Sequence, residues 1–149
     1  MKNAQFKEAK LVWKSTYDKE NRERFSSAQK FVDSECIRLM GRYTPMRSGY
    51  LMKSPILGTK IGSGHIVYNS PYARYQYYGI VYGPNIPIFE NGELVGFRSP
   101  PHKRSTGRAM TYSKARHPQA QRLWFEVMKK KHSRAILRGA AAIAGGKVK

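Results

Sequence analysis

The chain of 149 residues carries 28 Lys and Arg against 9 Asp and Glu, which gives a formal net charge of +19 and a pI near 10.3. Hydrophobic residues make up 40% of it, which excludes wholesale disorder, and the length predicts one domain with its own core. The charge predicts polyanionic partners, such as nucleic acid, acidic protein faces or an anionic membrane surface.

The cysteine content and the lengths of the apolar runs further limit the class of protein. Cys36 is the only cysteine, so an intramolecular disulfide and a thiol-type metal cluster are excluded, and a core position is expected for it. Residues 1–14 are charged and hold no apolar run long enough for a signal peptide. No window approaches the ~20 apolar residues of a membrane span. The sequence therefore predicts a soluble protein that is made in the cytoplasm and has no membrane partner.

A long N-terminal helix is predicted over residues 19–43, because apolar residues recur there at spacings of three and four. These residues are Phe25, Ala28, Val32, Cys36, Leu39 and Tyr43. Asp18 is predicted to cap the helix, and Thr44-Pro45 to end it, since the residue before a proline disfavours helical geometry. Residues 1–18 form a separate N-terminal segment, in which the pattern allows a helical face or a short edge strand, with the strand favoured.

The middle of the chain is predicted as strands followed by a short helix. Residues 50–54, 57–62 and 64–69 match a strand meander with glycines at its turns. Asn69-Ser70-Pro71 ends the last strand, and Pro71 is suited to open a helix because its missing amide would be unsatisfied there anyway.

This short helix is rich in tyrosine, and its spacing predicts two faces. Tyr72, Tyr75 and Gln76 share one face. Arg74, Tyr77 and Tyr78 share another face. Gly79 is placed to close the helix in a left-handed cap.

The rest of the chain predicts a hairpin, a basic loop and a second long helix. Asn91-Gly92 between two apolar runs indicates a β-hairpin, and Pro87 marks one of its strands as an edge. Residues 99–117 are predicted as a mobile basic arm or a long loop, with a brief strand allowed at residues 109–112. Pro118 is predicted to open a C-terminal helix that runs to residue 144 and is followed by a flexible basic tail, residues 145–149. We therefore expect an α+β domain over residues 19–144, with long N-terminal and C-terminal helices packed on a small antiparallel sheet.

The acidic residues and histidines predict that the protein is not an enzyme. The chain has no acidic residue between Ile37 and Phe89, or between Leu94 and Phe125. Carboxylates from separate elements, as a two-metal site or a glycosidase needs, are therefore lacking. No histidine pair has the spacing of helical metal ligands, and neither a nucleophile elbow nor a phosphate-binding loop is present. We predict no metal, no cofactor and no small-molecule substrate.

Two groups of residues are candidates for binding a macromolecule. The first is a candidate interface of Arg47, Tyr72, Arg74, Tyr75, Tyr77 and Tyr78. Its tyrosines either stack on bases or form packing and subunit contacts, and the second alternative is favoured. The second group is a candidate basic arm for protein or DNA contact, comprising His102, Lys103, Arg104, Arg108, Lys114 and Arg116.

Three segments together resemble minor capsid proteins of tailed bacteriophages, of the tail-completion or neck type. They are residues 43–51 (YTPMRSGYL), residues 66–79 (IVYNSPYARYQYYG) and residues 121–129 (QRLWFEVMK). In that family a long N-terminal helix leads through a Pro-x-x-(Ser/Asp)-Gly-x-Leu turn into a small antiparallel sheet. A Tyr-Asn-x-Pro-Tyr-Ala-Arg segment and a C-terminal helix follow.

The resemblance implies a non-enzymatic structural subunit of the virion that forms a ring at the head–tail junction. Its partners would be further copies of itself and the adjoining connector and tail proteins, docked by the loops around Arg47, residues 80–85 and residues 99–117. It would be made in the host cytoplasm and located in the neck of the virion. The residues alone also allow a different class, a free nucleic-acid-binding protein that acts through non-specific phosphate contacts.

Overall fold

Four helices and four strands form the part of the chain that the computed structural model describes, residues 15–148. In chain order these elements are α1 (Ser15–Met40), α2 (Tyr50–Gly58), α3 (Ala73–Tyr78), β1 (Ile80–Gly83), β2 (Ile86–Glu90), β3 (Glu93–Arg98), β4 (Arg104–Ala109) and α4 (Trp124–Ala144). The predicted α+β class is confirmed. The predicted strand at 10–14 lies outside the described residues.

The long helices α1 and α4 pack against each other and supply most of the core. Arg24, near the start of α1, lies beside Gly145, just past the end of α4. Tyr43 lies just past the end of α1, and its hydroxyl forms a hydrogen bond of 2.9 Å with Nε2 of His132 in α4. The two helices are therefore antiparallel. Their shared core comprises Cys36, Leu39, Met40, Tyr43, Trp124, Met128 and Ile136.

Helix α1 lies close to its predicted position but begins and ends earlier. Its described part begins at Ser15, so Asp18 lies inside the helix and is not the predicted cap. It ends at Met40, whose carbonyl accepts the N–H groups of Tyr43 and Thr44 and also the Thr44 hydroxyl at 3.0 Å. Phe25, predicted on the buried face, is 63% exposed.

The predicted strands at 50–54, 57–62 and 64–69 are wrong. Residues 50–58 form α2, and residues 64–69 have no regular structure. In a sheet the backbone N–H groups of this region would bond to a neighbouring strand. Here several of them donate hydrogen bonds to side chains instead. The Asp33 carboxylate, 2% exposed, accepts the N–H groups of Gly62 at 2.7 Å and Gly64 at 3.1 Å. The Thr59 hydroxyl accepts the Val67 N–H at 3.0 Å.

The strands form two separate antiparallel ribbons, β1 with β4 and β2 with β3. The predicted hairpin is confirmed, since Asn91 (φ 52°) and Gly92 (φ 83°) both have the positive φ of a type I′ turn. Strand β4 lies inside the predicted loop at 99–117, so that segment is partly a strand.

Helix α4 begins at Trp124, six residues later than the prediction from Pro118. The backbone in front of it bonds to distant segments. The Gln121 N–H donates to the Tyr43 carbonyl at 3.0 Å, and the Leu123 N–H to the Tyr77 carbonyl at 2.8 Å. Leu123 also has a positive φ of 52°, which is incompatible with a right-handed helix. Residues 118–123 therefore cross the end of α1 as an irregular segment.

Candidate protein-binding surfaces around helix α3

Helix α3 is held in place at its end by its own cap and by two hydrogen bonds from the segment that follows β4. Gly79 caps it in the left-handed region (φ 69°), with its N–H on the Tyr75 carbonyl, as predicted. The Met110 N–H bonds the Gly79 carbonyl at 2.8 Å. The Tyr112 hydroxyl donates to the Gln76 carbonyl. These bonds fix α3 as a wall between two concave surfaces.

The two faces predicted for α3 are confirmed, and each faces a different groove. Tyr77 points towards α4, where its ring meets Trp124 edge-on at a centroid distance of 4.9 Å. Tyr75 points the other way and packs on Tyr82 of β1 at 4.8 Å. The predicted interface residues are therefore not one surface, because the helix separates them.

The inner groove, of about 790 Å³, lies between α1, the start of α4 and α3. Arg74, Tyr77 and Tyr78 line it from α3. Its floor is apolar, and Tyr68 packs there on Trp124 at a centroid distance of 5.6 Å. Burial raises the pKa of the Tyr68 hydroxyl, so that side chain stays neutral in any ordinary buffer.

The outer groove consists of two adjoining depressions of about 420 Å³ and 550 Å³. It is formed by residues 45–51, 70–72, 75–76, 81–82, 99–101, 103 and 110–113. Tyr72 and Gln76 belong to both depressions and lie at its centre. Tyr75 lines one depression together with Lys103, and Arg47 lines the other. The outer groove therefore brings together members of both predicted groups.

The residues of the predicted basic arm have different surroundings. Arg104 and Arg108 are exposed on β4, and His102 lies in the turn before it. Lys114 is used within the fold, because its ammonium donates to the Ala120 carbonyl. Arg116 is exposed on the loop that follows. The segment after β4 is thus attached to the rest of the fold through Lys114. Of the residues of the predicted arm, the exposed Arg104 and Arg108 lie on the β1–β4 ribbon.

The β2–β3 hairpin is a surface that the sequence did not single out. Pro87 pairs with Phe97, and Phe89 with Leu94, so these four side chains share one face. We call it the phenylalanine face. Phe89, Leu94 and Phe97 are 61%, 51% and 62% exposed. The register that places them together depends on a β-bulge at Val95, which the sequence does not reveal.

Most basic side chains keep their charge unpaired within the described part of the chain. The ion pair found among residues 15–148 joins Arg38 to Glu35 at 2.7 Å, on the exposed side of α1. The Arg38 guanidinium holds the pKa of the Glu35 carboxyl below its usual value. Since the chain carries +19 overall, this single pair leaves a strongly positive surface.

Within residues 15–148 no three His, Cys, Asp or Glu side chains are grouped as metal ligands would be. Across the same described range, none of the helices combines the length and the apolar character that a membrane span requires. The predicted absence of catalysis, of a cofactor and of a metal stays a prediction.

Comparisons with protein-family profiles, with curated proteins and with solved structures found no significant match to this chain. The resemblance to minor capsid proteins therefore also stays a prediction.

Proposed function

We propose that this chain is a non-enzymatic structural subunit of a tailed phage or prophage virion. In this proposal it forms a ring in the neck and joins the capsid connector to the tail. The observation that carries the proposal is the exposed phenylalanine face of the hairpin. An exposed apolar patch of this kind marks a protein interaction site, because water contact with it is unfavourable until a partner covers it.

A second observation supports the same proposal. The three segments that resemble minor capsid proteins are distant in sequence but are joined by backbone hydrogen bonds. Gln121 in the third segment bonds Tyr43 in the first, and Leu123 in the third bonds Tyr77 in the second. The resemblance therefore covers one connected unit of the fold, centred on the end of α1, helix α3 and the start of α4.

The charge fits a subunit that is completed by its neighbours. A net charge of +19 makes copies of the chain repel one another, so a ring of this protein needs acidic faces next to it. Adjoining connector and tail rings, or packaged DNA, would supply that negative charge. We expect the isolated chain to be largely monomeric and to form rings with those partners.

The test is co-expression of the chain with the connector and tail proteins encoded beside it, followed by electron microscopy of the purified assemblies and of virions. We expect density for this chain in a ring between head and tail. A chain that associates with no neck or tail protein, and that is absent from purified particles, would overturn the proposal.

A free nucleic-acid-binding protein is the second candidate, and the β1–β4 ribbon is the observation that favours it. Lys103, Arg104 and Arg108 lie on or beside β4 and form no ion pair within the described residues. Such side chains bind phosphates through counterion release, which makes the affinity fall steeply with salt.

A triple variant with Lys103→Ser, Arg104→Ser and Arg108→Ser would test this candidate. If each contacts one phosphate, the slope of log K against log salt on duplex DNA should become shallower by about 2–3. The matched control removes three charges from α4, by serine at Lys129, Lys130 and Arg138, and should leave the slope nearly unchanged. Equal slopes for both triple variants would exclude the ribbon as a specific DNA contact.

A further inference from the structure

We propose that the outer groove binds single-stranded DNA, with bases stacked on its tyrosine rings and phosphates held by its basic side chains. The inference goes beyond the proposed function, because it assigns a ligand to a surface that each copy of the chain carries. Only the choice of DNA over RNA rests on that function, since a neck subunit lies beside packaged DNA.

Two tyrosine rings of the outer groove are open to solvent. Tyr72 is 66% exposed and Tyr50 is 56% exposed, and both line the same depression. Within residues 15–148 neither ring stacks on another aromatic side chain. A base offers a flat π-face to such a ring, and stacking of this kind tolerates any base sequence. The two rings are therefore available as stacking platforms for bases.

Each depression of the outer groove also holds one basic side chain. Arg47 lines the depression that contains Tyr50, and Lys103 lines the other. Within the described part of the chain neither of these cations forms an ion pair. Tyr72 belongs to both depressions, so an exposed ring lies where the two halves of the groove join. A strand that follows the groove can therefore place phosphates on both cations while its bases meet the rings.

The outer groove holds no negative charge that would oppose a polyanion. None of the described residues that line it is Asp or Glu. Glu90 and Glu93 lie at the tip of the hairpin, at its far end from the groove-lining Ser99. The inner groove is different, because the Asp33 carboxylate lines it. Of the two tyrosine-lined grooves beside α3, the outer one is therefore the one suited to phosphates.

The walls of the outer groove are held by packing and by prolines. Tyr75 packs on Tyr82 at a centroid distance of 4.8 Å, so these two rings form one fixed wall. Pro71, Pro100 and Pro101 line the same depression and restrict its backbone. A surface that is already ordered loses little conformational entropy when a ligand binds.

A single strand uses both features of the groove, and other polyanions use only one. Asp and Glu side chains of an acidic peptide carry charge but no π-face. In a duplex the bases are stacked on one another, and opening them to a tyrosine ring costs unstacking energy. Each nucleotide of a single strand joins a phosphate to an accessible base, which is the combination that rings and cations bind together.

Fluorescence anisotropy of the full chain with a labelled oligothymidylate of about 12 nucleotides would test the stacking. At about 0.15 M salt, Tyr72→Leu should lower the affinity at least fivefold, because leucine keeps an apolar side chain but has no π-face. The matched control is Tyr78→Leu, which removes an exposed ring from the inner groove on the other face of the same helix. We expect it to change the affinity by no more than about twofold. Equal losses for the two variants would overturn the inference.

The salt dependence tests the phosphate contacts separately. If Arg47 contacts one phosphate, Arg47→Gln should make the slope of log K against log salt shallower by about 0.7, the value for a single strand. The matched control Arg74→Gln removes an equal charge from the inner groove and should leave the slope nearly unchanged. The same change of slope in both variants would mean that net charge alone governs binding, and would overturn the inference.

Photo-crosslinking would locate the bases directly. An oligonucleotide that carries 5-iodouracil crosslinks to the aromatic rings on which its bases stack, and mass spectrometry identifies the modified residue. We expect crosslinks at Tyr72 and Tyr50. Crosslinks that fall on Tyr78, or on the β1–β4 ribbon alone, would contradict binding in the outer groove.

Three competitors distinguish the ligand classes. Tyr72→Leu should leave the affinity for a duplex of equal length unchanged, and a loss equal to that for the single strand would contradict stacking. Polyglutamate of equal charge should compete at least tenfold less well than unlabelled oligothymidylate, and equal competition would overturn the inference. An affinity for oligouridylate tenfold above that for oligothymidylate would overturn the assignment to DNA.

The outcome is separable from that of the proposed function, because the binding is measured on the purified chain without connector or tail proteins. Circular dichroism melts of each variant separate misfolding from lost binding. A chain that binds the oligonucleotide in the outer groove but is absent from the neck would reject only the proposed function. A chain that forms the neck ring but shows no loss of affinity with Tyr72→Leu would reject the inference alone.

Discussion

Replacement of Asp33 by alanine is expected to lower the free energy of unfolding by about 3 kcal/mol. This carboxylate is 2% exposed and accepts the backbone N–H groups of Gly62 and Gly64 as well as the Gln29 amide. Without it, three partly buried hydrogen bonds to a charged group are lost. Hydrogen bonds to charged groups are worth about 1.5–3 kcal/mol each, and the partly exposed donors recover some of that loss by bonding water. For a chain of this length, 3 kcal/mol corresponds to a fall of roughly 6–12 °C in Tm. Urea denaturation followed by circular dichroism would measure the change.

Asp33→Asn is the matched control because the remaining carbonyl oxygen can take the position of Oδ2, which accepts both glycine N–H groups. Gln29 can rotate its own amide so that its oxygen faces the new NH₂ group. We therefore expect this variant to lose only about 1 kcal/mol, the difference between charge-assisted and neutral hydrogen bonds. Similar losses for alanine and asparagine would contradict the role given to this carboxylate in holding residues 62–64.

The elements that the sequence predicted correctly are those whose determinants are local. Asn91-Gly92 specifies the tight turn of the hairpin because both residues tolerate positive φ. Gly79 ends α3 for the same reason, and the helical spacing of the tyrosines alone assigned them to two faces. In each case the residues that determine the geometry lie within four or five positions of one another.

The elements predicted wrongly are those determined by distant residues. The N–H groups of Gly62 and Gly64 bond the Asp33 carboxylate, which lies 29 and 31 positions earlier in the chain. The local pattern of apolar residues between glycines does not reveal this contact, and it wrongly predicted strands here. The start of α4 is shifted because Leu123 bonds Tyr77 and adopts a left-handed conformation. Local propensity indicated a helix from Pro118, and tertiary hydrogen bonds prevailed over it.

The candidate site was predictable in its parts and not in its arrangement. Aromatic and basic residues stood out by composition, but only the fold brings Tyr72, Lys103 and Arg47 to one groove and places Tyr77 in another. The phenylalanine face depends on the strand register, and a single bulge at Val95 decides which side chains share it. A one-residue slip would have mixed the two faces.

Gly79→Ala is expected to destabilise the protein by about 3 kcal/mol, for two separable reasons. At φ 69° an alanine pays roughly 1–2 kcal/mol for its left-handed conformation. Its Cβ would also lie 2.7 Å from the Tyr112 hydroxyl and 3.0 Å from the Arg122 Cβ, and such overpacking costs about 1–3 kcal/mol. The same substitution displaces the segment that carries Tyr112, so we expect it to weaken ring assembly as well.

Gly145→Ala separates the two reasons, because Gly145 also caps a helix at positive φ (83°) but faces only the flexible end of Arg24 at 3.3 Å. We expect it to cost about 1 kcal/mol, from the backbone alone. A further comparison uses Tyr112→Phe, which removes the hydroxyl that donates to the Gln76 carbonyl. If Gly79→Ala has already displaced that ring, Tyr112→Phe should cost less in the alanine background than in the natural chain. Additive losses would mean that Tyr112 keeps its hydrogen bond beside Ala, and that the close contact is relieved by moving Arg122 instead.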